Sequence, residues 1–352
     1  MAPGRVCLFG EHSDYLGLDV IAAAIGMTIV IEVDPRDDNE IHIDYSDLEA
    51  RDTFSLESEI DYYSRRDYIR SSFNVMRRKG FRPKHGWDMR VTGTIPIAAG
   101  LSSSSAMTIA AILAIVEMSE GRMTKEDVAL TAYEAEVEEF GESGGTMDHF
   151  ASAIGGVIHV DMETRKATRL PAELNSIIIG DSGEKKKDTV GDLRYIRTTV
   201  ENEYNALRQR IPSFSRRTTP ANTVYELTQR RPSKERMMAE ATLRNRDLTK
   251  RALKVLSESS PDPDTLGEMI REHHEILRDD LNRSTPKIES MIEAAMGAGA
   301  LGCKINGSGG GGSMMAYTSG WEKEIASAIS LAGGTSYIVK VSDGASIIKS
   351  HE

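Results

Sequence analysis

Ile95-Pro96-Ile97-Ala98-Ala99-Gly100-Leu101-Ser102-Ser103-Ser104-Ser105-Ala106-Met107 runs without a break into the apolar segment 108–118. Pro96 ends the strand-like stretch 88–92, Gly100 permits a turn, and the Ala- and Leu-rich run that follows reads as a buried helix. Four hydroxyls therefore crowd one helix N-terminus. The first N–H groups of a helix lack intrahelical partners and carry the positive end of its dipole, so a loop of small residues there can admit phosphate oxygens. Serine hydroxyls also suit Mg²⁺, which favours oxygen ligands. A serine-rich N-cap without any ligand has the same sequence, and the rest of the chain has to decide.

Working outward toward the N-terminus, the run 5–9 reads as a strand, 10–14 as a polar elbow, and Gly17 as a turn before a second extended run through Ile31. The elbow places Glu11, His12, Asp14 and Tyr15 within five positions, a density that ordinary loops seldom need. Toward the C-terminus, Thr124 and Asp127 form a capping-box-like start to a helix through Phe140 that carries Glu136. The turn Gly141-Glu142-Ser143-Gly144-Gly145-Thr146-Met147-Asp148-His149 follows, so Glu136 and Asp148 flank a flexible segment. Residues 34–83 are charged and peripheral in pattern, with a half-exposed strand at 40–44, a helix over 62–79 and no evident chemistry.

The chain has 352 residues, enough for two domains at roughly 150 residues each, and a boundary is expected near Glu173, giving units 1–173 and 174–352. Its 43 Lys+Arg against 54 Asp+Glu leave a net charge of −11, which argues against binding nucleic acid or an acidic membrane through bulk charge. Cys7 and Cys303 lack metal spacing and read as small buried residues of a reducing compartment. The apolar runs fall short of the roughly 18 residues of a membrane span, and no signal-peptide pattern opens the sequence, so a cytoplasmic enzyme is expected.

Two stretches, from Gly297 and from Gly307, match G-x-G-x-x-G, but neither joins a strand to a long helix, so a dinucleotide site is not indicated. No P-loop motif and no zinc cluster is present, and the adjacent His273 and His274 cannot share a helix face. Lys185-Lys186-Lys187 reads as a solvated turn. Five glycines between Gly307 and Gly312 are too costly in chain entropy to be idle, and they suit a backbone that approaches a ligand closely. An elbow, a serine-rich helix start, two carboxylates about a turn and a glycine loop together fit phosphoryl transfer.

These pieces resemble the GHMP kinase superfamily, and within it the galactokinases, over nearly the whole chain. Pro3-Gly4-Arg5-Val6-Cys7-Leu8-Phe9-Gly10-Glu11-His12-Ser13-Asp14-Tyr15 is similar to the galactokinase signature PGRVNLIGEHTDY. Residues 96–106 resemble the ATP loop PxxxGLSSSAA, and 135–149 resemble AExxFxGxxCGxMDQ at the acidic and glycine positions. His274-Glu275-Ile276-Leu277-Arg278-Asp279-Asp280-Leu281 resembles a run characteristic of galactokinases rather than mevalonate kinases. The departures are Cys7 and Leu16 for Asn, Gly144 for Cys, and His149 for Gln.

The resemblance implies a two-domain α+β fold, with a ribosomal-S5-like N-terminal domain and a ferredoxin-like C-terminal domain about an interdomain cleft. It implies an ATP- and Mg²⁺-dependent kinase that phosphorylates a monosaccharide at its anomeric hydroxyl. Asp148 and Arg5 would be catalytic; Glu11, His12, Asp14, Gly144 and Gly145 would bind the sugar. Gly100, Leu101, Ser102, Ser103, Ser104, Ser105, Ala106, Gly309 and Gly310 would hold ATP, and Ser104 with Glu136 would hold Mg²⁺. Another acceptor (a uronic acid, another aldose, mevalonate) or a non-catalytic sugar-binding regulator fits the same motifs. Oligomeric state is not legible.

Overall fold

The structure is a computed structural model that describes residues 1–185, 189–230 and 232–349. The chain opens with β1 (Ala2–Phe9), which pairs antiparallel with β2 (Val20–Pro35) across the elbow at 10–19. β1 is buried throughout, Arg5 included, and β2 is buried over its unbroken apolar run 20–25. β2 is long enough to hold β1 along its first half and a later strand along its second.

β3 (Glu40–Tyr45) and β4 (Ala50–Ser55) form a hairpin at the sheet edge, followed by α1 (Tyr68–Arg78) and β5 (Trp87–Gly93). The helix expected over 62–79 begins only at Tyr68. The residues before it are turned aside: Arg66 adopts a left-handed φ of 73° and the Asp67 carboxylate accepts the Tyr63 N–H at 3.3 Å. Charge and apolar spacing could not register that local competition.

α2 (Ser103–Met118) is the helix read from the opening stretch. Being apolar all round, it has no exposed face, and it packs against α1, β1 and β2 in the centre of the first half. α3 (Lys125–Tyr133) starts at the expected cap, with Thr124 Oγ1 accepting from Asp127 N at 3.1 Å. It passes into a π-helical turn at Glu134–Glu138 rather than running on as α-helix to Phe140. α4 (Met147–Ile154), β6 (Val157–Asp161) and β7 (Lys166–Leu170) complete a seven-stranded sheet of order β4-β3-β5-β2-β6-β7, with β1 on β2.

β8 (Ile177–Asp181) begins a second, four-stranded sheet. Three helices follow, α5 (Thr189–Arg210), α6 (Ala221–Arg230) and α7 (Lys234–Leu256), and α7 lies against β1 and β2. The irregular segment before α6 docks on the elbow: Arg216 donates to Leu16 O at 2.5 Å and Arg217 pairs with Asp19 at 3.3 Å. Then come α8 (Pro263–Glu275), α9 (Pro286–Gly297), β9 (Gly302–Asn306), β10 (Ser313–Tyr317), α10 (Glu322–Leu331) and β11 (Thr335–Val339). The second sheet runs β11-β8-β10-β9, wholly antiparallel, under α9 and α10. One continuous apolar core joins both sheets. No helix among the described residues is long and apolar enough to cross a membrane.

Candidate active site

The serine loop reaches α2 through strained backbone. Ala98 and Ser102 have φ of 60° and Gly100 has 82°, so three residues within five adopt the left-handed region. Non-glycine residues there cost energy and mark loops whose shape is over-determined by their surroundings. The cause is adjacent: the Gly307 backbone lies so close to Gly100 that a Cβ on Gly307 would fall 2.9 Å from Gly100 O. Gly307 itself has φ 77°. Two small-residue loops therefore stack backbone on backbone.

Ser102 does not cap α2. Its hydroxyl donates to Asp148 Oδ2 at 2.5 Å, which ties the serine loop to the first turn of α4. Asp148 also receives a two-pronged bond from Arg5 on β1, Nε to Oδ1 at 2.6 Å and Nη2 to Oδ2 at 2.7 Å. Arg5 Nη1 donates to Gly100 O at 2.7 Å. The flat guanidinium matches a carboxylate on one edge and a carbonyl on the other, a geometry lysine cannot reproduce. Burial pushes the Asp148 carboxyl up, but the Arg5 charge and the bonds from Arg5 and Ser102 outweigh it and hold it below the ordinary aspartate value.

The elbow faces this cluster. Asp14 accepts the Tyr15 N–H at 2.9 Å, and its Oδ2 abuts Gly145 so closely that a Cβ there would lie 2.0 Å away. Gly145 is thus required by a neighbour 131 positions earlier in sequence. Burial, then the charges of Asp148 and Glu11, raise the Asp14 carboxyl to about 6, against the lowering influence of the Tyr15 N–H and Arg5. His12 Nδ1 pairs with Tyr15 OH at 2.9 Å. Glu11 forms a buried ion pair at 2.7 Å with Lys304 of β9.

Glu136 projects from the π-turn, a device that re-aims one side chain out of helical register. Its Oε2 lies 2.8 Å from His149 Nε2, and both side chains are largely buried. Glu136, Ser103, Ser104, Ser105, Asp148, Asp14, His12 and Glu11 all line a single cleft of about 430 Å³. Its carboxylate and hydroxyl oxygens are the donor set that Mg²⁺ prefers, so the residues present fit that ion.

Most of the expected residues converge, with differences of place. Gly144, Gly145, Gly100 and Ser102 line the cleft, whereas Leu101 and Ala106 point into the core. Of the glycine loop, Gly307 and Ser308 reach the cleft. Gly309 and Gly310 instead pack against Arg283, whose carbonyl accepts the Gly310 N–H at 2.8 Å. Lys185 is exposed, and Lys186 and Lys187 lie outside the described residues. Cys7 and Cys303 are buried.

Residues 34–83 were expected to carry no chemistry, yet Arg66 and Tyr68 line the cleft, with Arg66 paired to Glu142 at 2.6 Å. Nothing in their local pattern signals this, because it is the docking of α1 against the π-turn that brings them there. Lys304, Asn306, Asn245 and His273 behind the elbow were missed too. A lysine inside an otherwise apolar strand pattern was the one available clue.

Comparison with known proteins agrees with this architecture. Residues 67–156 match the family described as GHMP kinases N terminal domain, 249–337 match GHMP kinases C terminal, and 1–35 match the galactokinase galactose-binding signature. The chain is 30% identical to a mevalonate kinase of Pyrococcus furiosus, covering 97% of this chain and 95% of that protein. It is 29% identical to a galactokinase of Thermococcus kodakarensis, covering 90% and 87%. A Lactococcus lactis galactokinase solved with galactose superposes with a TM-score of 0.85 at 21% identity, covering 97% of this chain and 93% of that one. A Methanococcus jannaschii mevalonate kinase superposes at 0.74 and 21% identity, covering 97% of both. With a strained serine loop at a helix N-terminus, an acidic elbow opposite it, and full-length relatives of the same build, this chain belongs to the GHMP kinase family, with that family's two-domain fold of mixed α and β structure.

Proposed function

We propose that the chain transfers the γ-phosphoryl group of ATP to a hydroxyl of a neutral monosaccharide, the anomeric one. The observation that carries this reading is the position of Asp148, bonded to the serine loop through Ser102 and facing the elbow carboxylates across one cleft. Donor and acceptor sites converge on a single carboxylate.

The chemistry follows from the groups present. The acceptor oxygen attacks the γ-phosphorus, the bond to the β–γ bridging oxygen breaks, ADP departs and the hydroxyl proton passes to Asp148. A carboxylate held below the ordinary aspartate value is a weak base. It suits a loose transition state in which the proton leaves late, and it suits the most acidic hydroxyl of a free sugar, which is the anomeric one. Arg5 keeps Asp148 ionised and fixes its plane. The N–H groups and hydroxyls from 100 to 106 would receive the phosphates. Glu136 and a serine hydroxyl, Ser104 by its place in the motif, would hold Mg²⁺, which when bound neutralises phosphate charge.

The charge of the cleft supports a neutral acceptor. The cleft-lining arginines Arg5 and Arg66 are each paired with a carboxylate, and Asp14 adds an acidic group at about 6. An acceptor carboxylate, as in mevalonate or a uronic acid, would meet repulsion at the elbow and, among the described residues that line the cleft, no uncommitted arginine, whereas sugar hydroxyls can donate to Glu11 and Asp14. The galactose-binding signature over 1–35 supports the same reading, while the identity to mevalonate kinases makes mevalonate the acceptor to test against.

The test is a screen of aldoses, uronic acids and mevalonate with ATP and Mg²⁺, with ³¹P and ¹H NMR of the product. Phosphorylation of a neutral aldose at its anomeric oxygen is expected. Turnover of mevalonate alone would overturn the assignment. Asp148→Asn is expected to lower kcat by roughly 10²- to 10⁴-fold in a folded protein.

A further inference from the structure

β1 pairs along one edge with β2, and beside Cys7 its other edge carries backbone groups that no strand among the described residues meets. Side chains from the second half of the chain meet them instead. Asn306 Oδ1 accepts the Cys7 N–H at 3.0 Å, and Lys304 Nζ donates to Cys7 O at 2.8 Å. His273 Nδ1 lies 3.0 Å from Leu8 O, and Asn245 donates to Glu11 O at 2.8 Å. Strand alternation sets Lys304 and Asn306 on the same face of β9, toward β1.

Lys304 does more than satisfy an edge. It is wholly buried, and its ammonium reaches past Cys7 to Glu11 Oε2 at 2.7 Å. A buried lysine is strongly unfavourable unless paired, and a backbone carbonyl alone would not compensate it. Lys304 does not line the cleft, but Glu11 does. Asn306 on the same strand also donates to Gly100 O at 2.8 Å, at the foot of the serine loop.

We propose that Lys304 is a positioning residue for acceptor binding. Reaching from the second half of the chain, it fixes the Glu11 carboxylate toward the cleft and neutralises it, so that Glu11 and Asp14 can sit side by side as hydroxyl acceptors. The inference rests on reading the elbow as the acceptor site. It assigns acceptor recognition to a residue that contacts no substrate and lies 293 positions from the one it orients.

Lys304→Met keeps the stem and removes the charge. The expected result is a rise in acceptor KM of about tenfold or more with ATP KM within about twofold. Amide exchange over 10–16 should quicken by about tenfold while that of α2 holds. Lys304→Gln, which keeps a donor for Cys7 O, serves the same measurements where Lys304→Met fails to fold. The pair Lys304→Met with Glu11→Gln separates structure from positioning: it should recover the melting temperature lost in Lys304→Met while acceptor KM stays raised.

Acceptor and ATP KM rising together, or an unmoved acceptor KM in a folded variant, would overturn the proposal. Turnover of mevalonate rather than a sugar sinks the monosaccharide reading while leaving the KM split to be read on mevalonate. If the wild type turned over no acceptor, unchanged exchange over 10–16 would still refute the role of Lys304.

Discussion

Asp14→Asn should stabilise this protein at neutral pH while weakening acceptor binding. Asn preserves the shape of Asp14 and the oxygen that accepts the Tyr15 N–H, so the substitution removes charge and little else. The Asp14 carboxyl titrates near 6 in the fold against 3.8 in the unfolded chain, because burial and the neighbouring Asp148 and Glu11 disfavour its charge. The folded state therefore binds the proton more tightly than the unfolded state, and stability is lost as pH rises between those values. Well below pH 3.8 both states are protonated and Asp14 costs nothing extra. Above 6 both are ionised, and the shift corresponds to about 3 kcal/mol of destabilisation.

Asp14→Asn should then match the wild type at pH ~3 and exceed it by about 3 kcal/mol at pH ~7.5. Denaturant unfolding at a series of pH values reads this directly, with the melting temperature rising by a few degrees at neutral pH as a parallel measure. In the same variant, acceptor KM should rise about 10- to 100-fold, as expected from losing a charge-assisted hydrogen bond. A stability difference that does not vary with pH, or a variant less stable at pH 7.5, would refute the electrostatic account of the elbow. A gain in stability with acceptor KM unchanged would refute the contact between Asp14 and the acceptor.

Arg5→Met removes the charge that holds Asp148 ionised, so the acidic limb of the kcat/KM profile should move to higher pH as overall turnover falls; a pH–rate profile measures both. Gly145→Ala drives a Cβ into Asp14 Oδ2, and it should raise acceptor KM while sparing ATP KM in steady-state kinetics. Glu136→Ala should weaken divalent-ion binding, read by the Mn²⁺ EPR signal independently of turnover, and a normal Mn²⁺ titration would count against its role.

Much of the candidate site was legible because its pieces are local. The cap at Thr124, the serine run at the start of α2 and the polar elbow are each set by a handful of adjacent residues, and the structure keeps them where the sequence suggested. Local signals failed where a side chain is claimed by something distant. Ser102 looks like a cap but serves Asp148, because its left-handed backbone aims the hydroxyl away from the α2 N–H groups. Gly309 and Gly310 suit a ligand loop but yield to Arg283, and Arg66, in a segment with no evident chemistry, becomes a wall of the cleft.

The sequence by itself determined most of the elements, though not all their bounds, the family motifs and the kinds of atom available for phosphoryl transfer. Strand and helix periodicity, capping and turn chemistry act over one to four residues and can be read in order along the chain. Only the tertiary structure decided which charges neutralise which. Arg5 meets Asp148 across 143 positions and Glu11 meets Lys304 across 293, and Glu136 leaves helical register to meet His149. A charge withdrawn from water must find its partner inside the fold, and which partner lies within 3 Å is settled by chain packing, for which residue order carries no local sign.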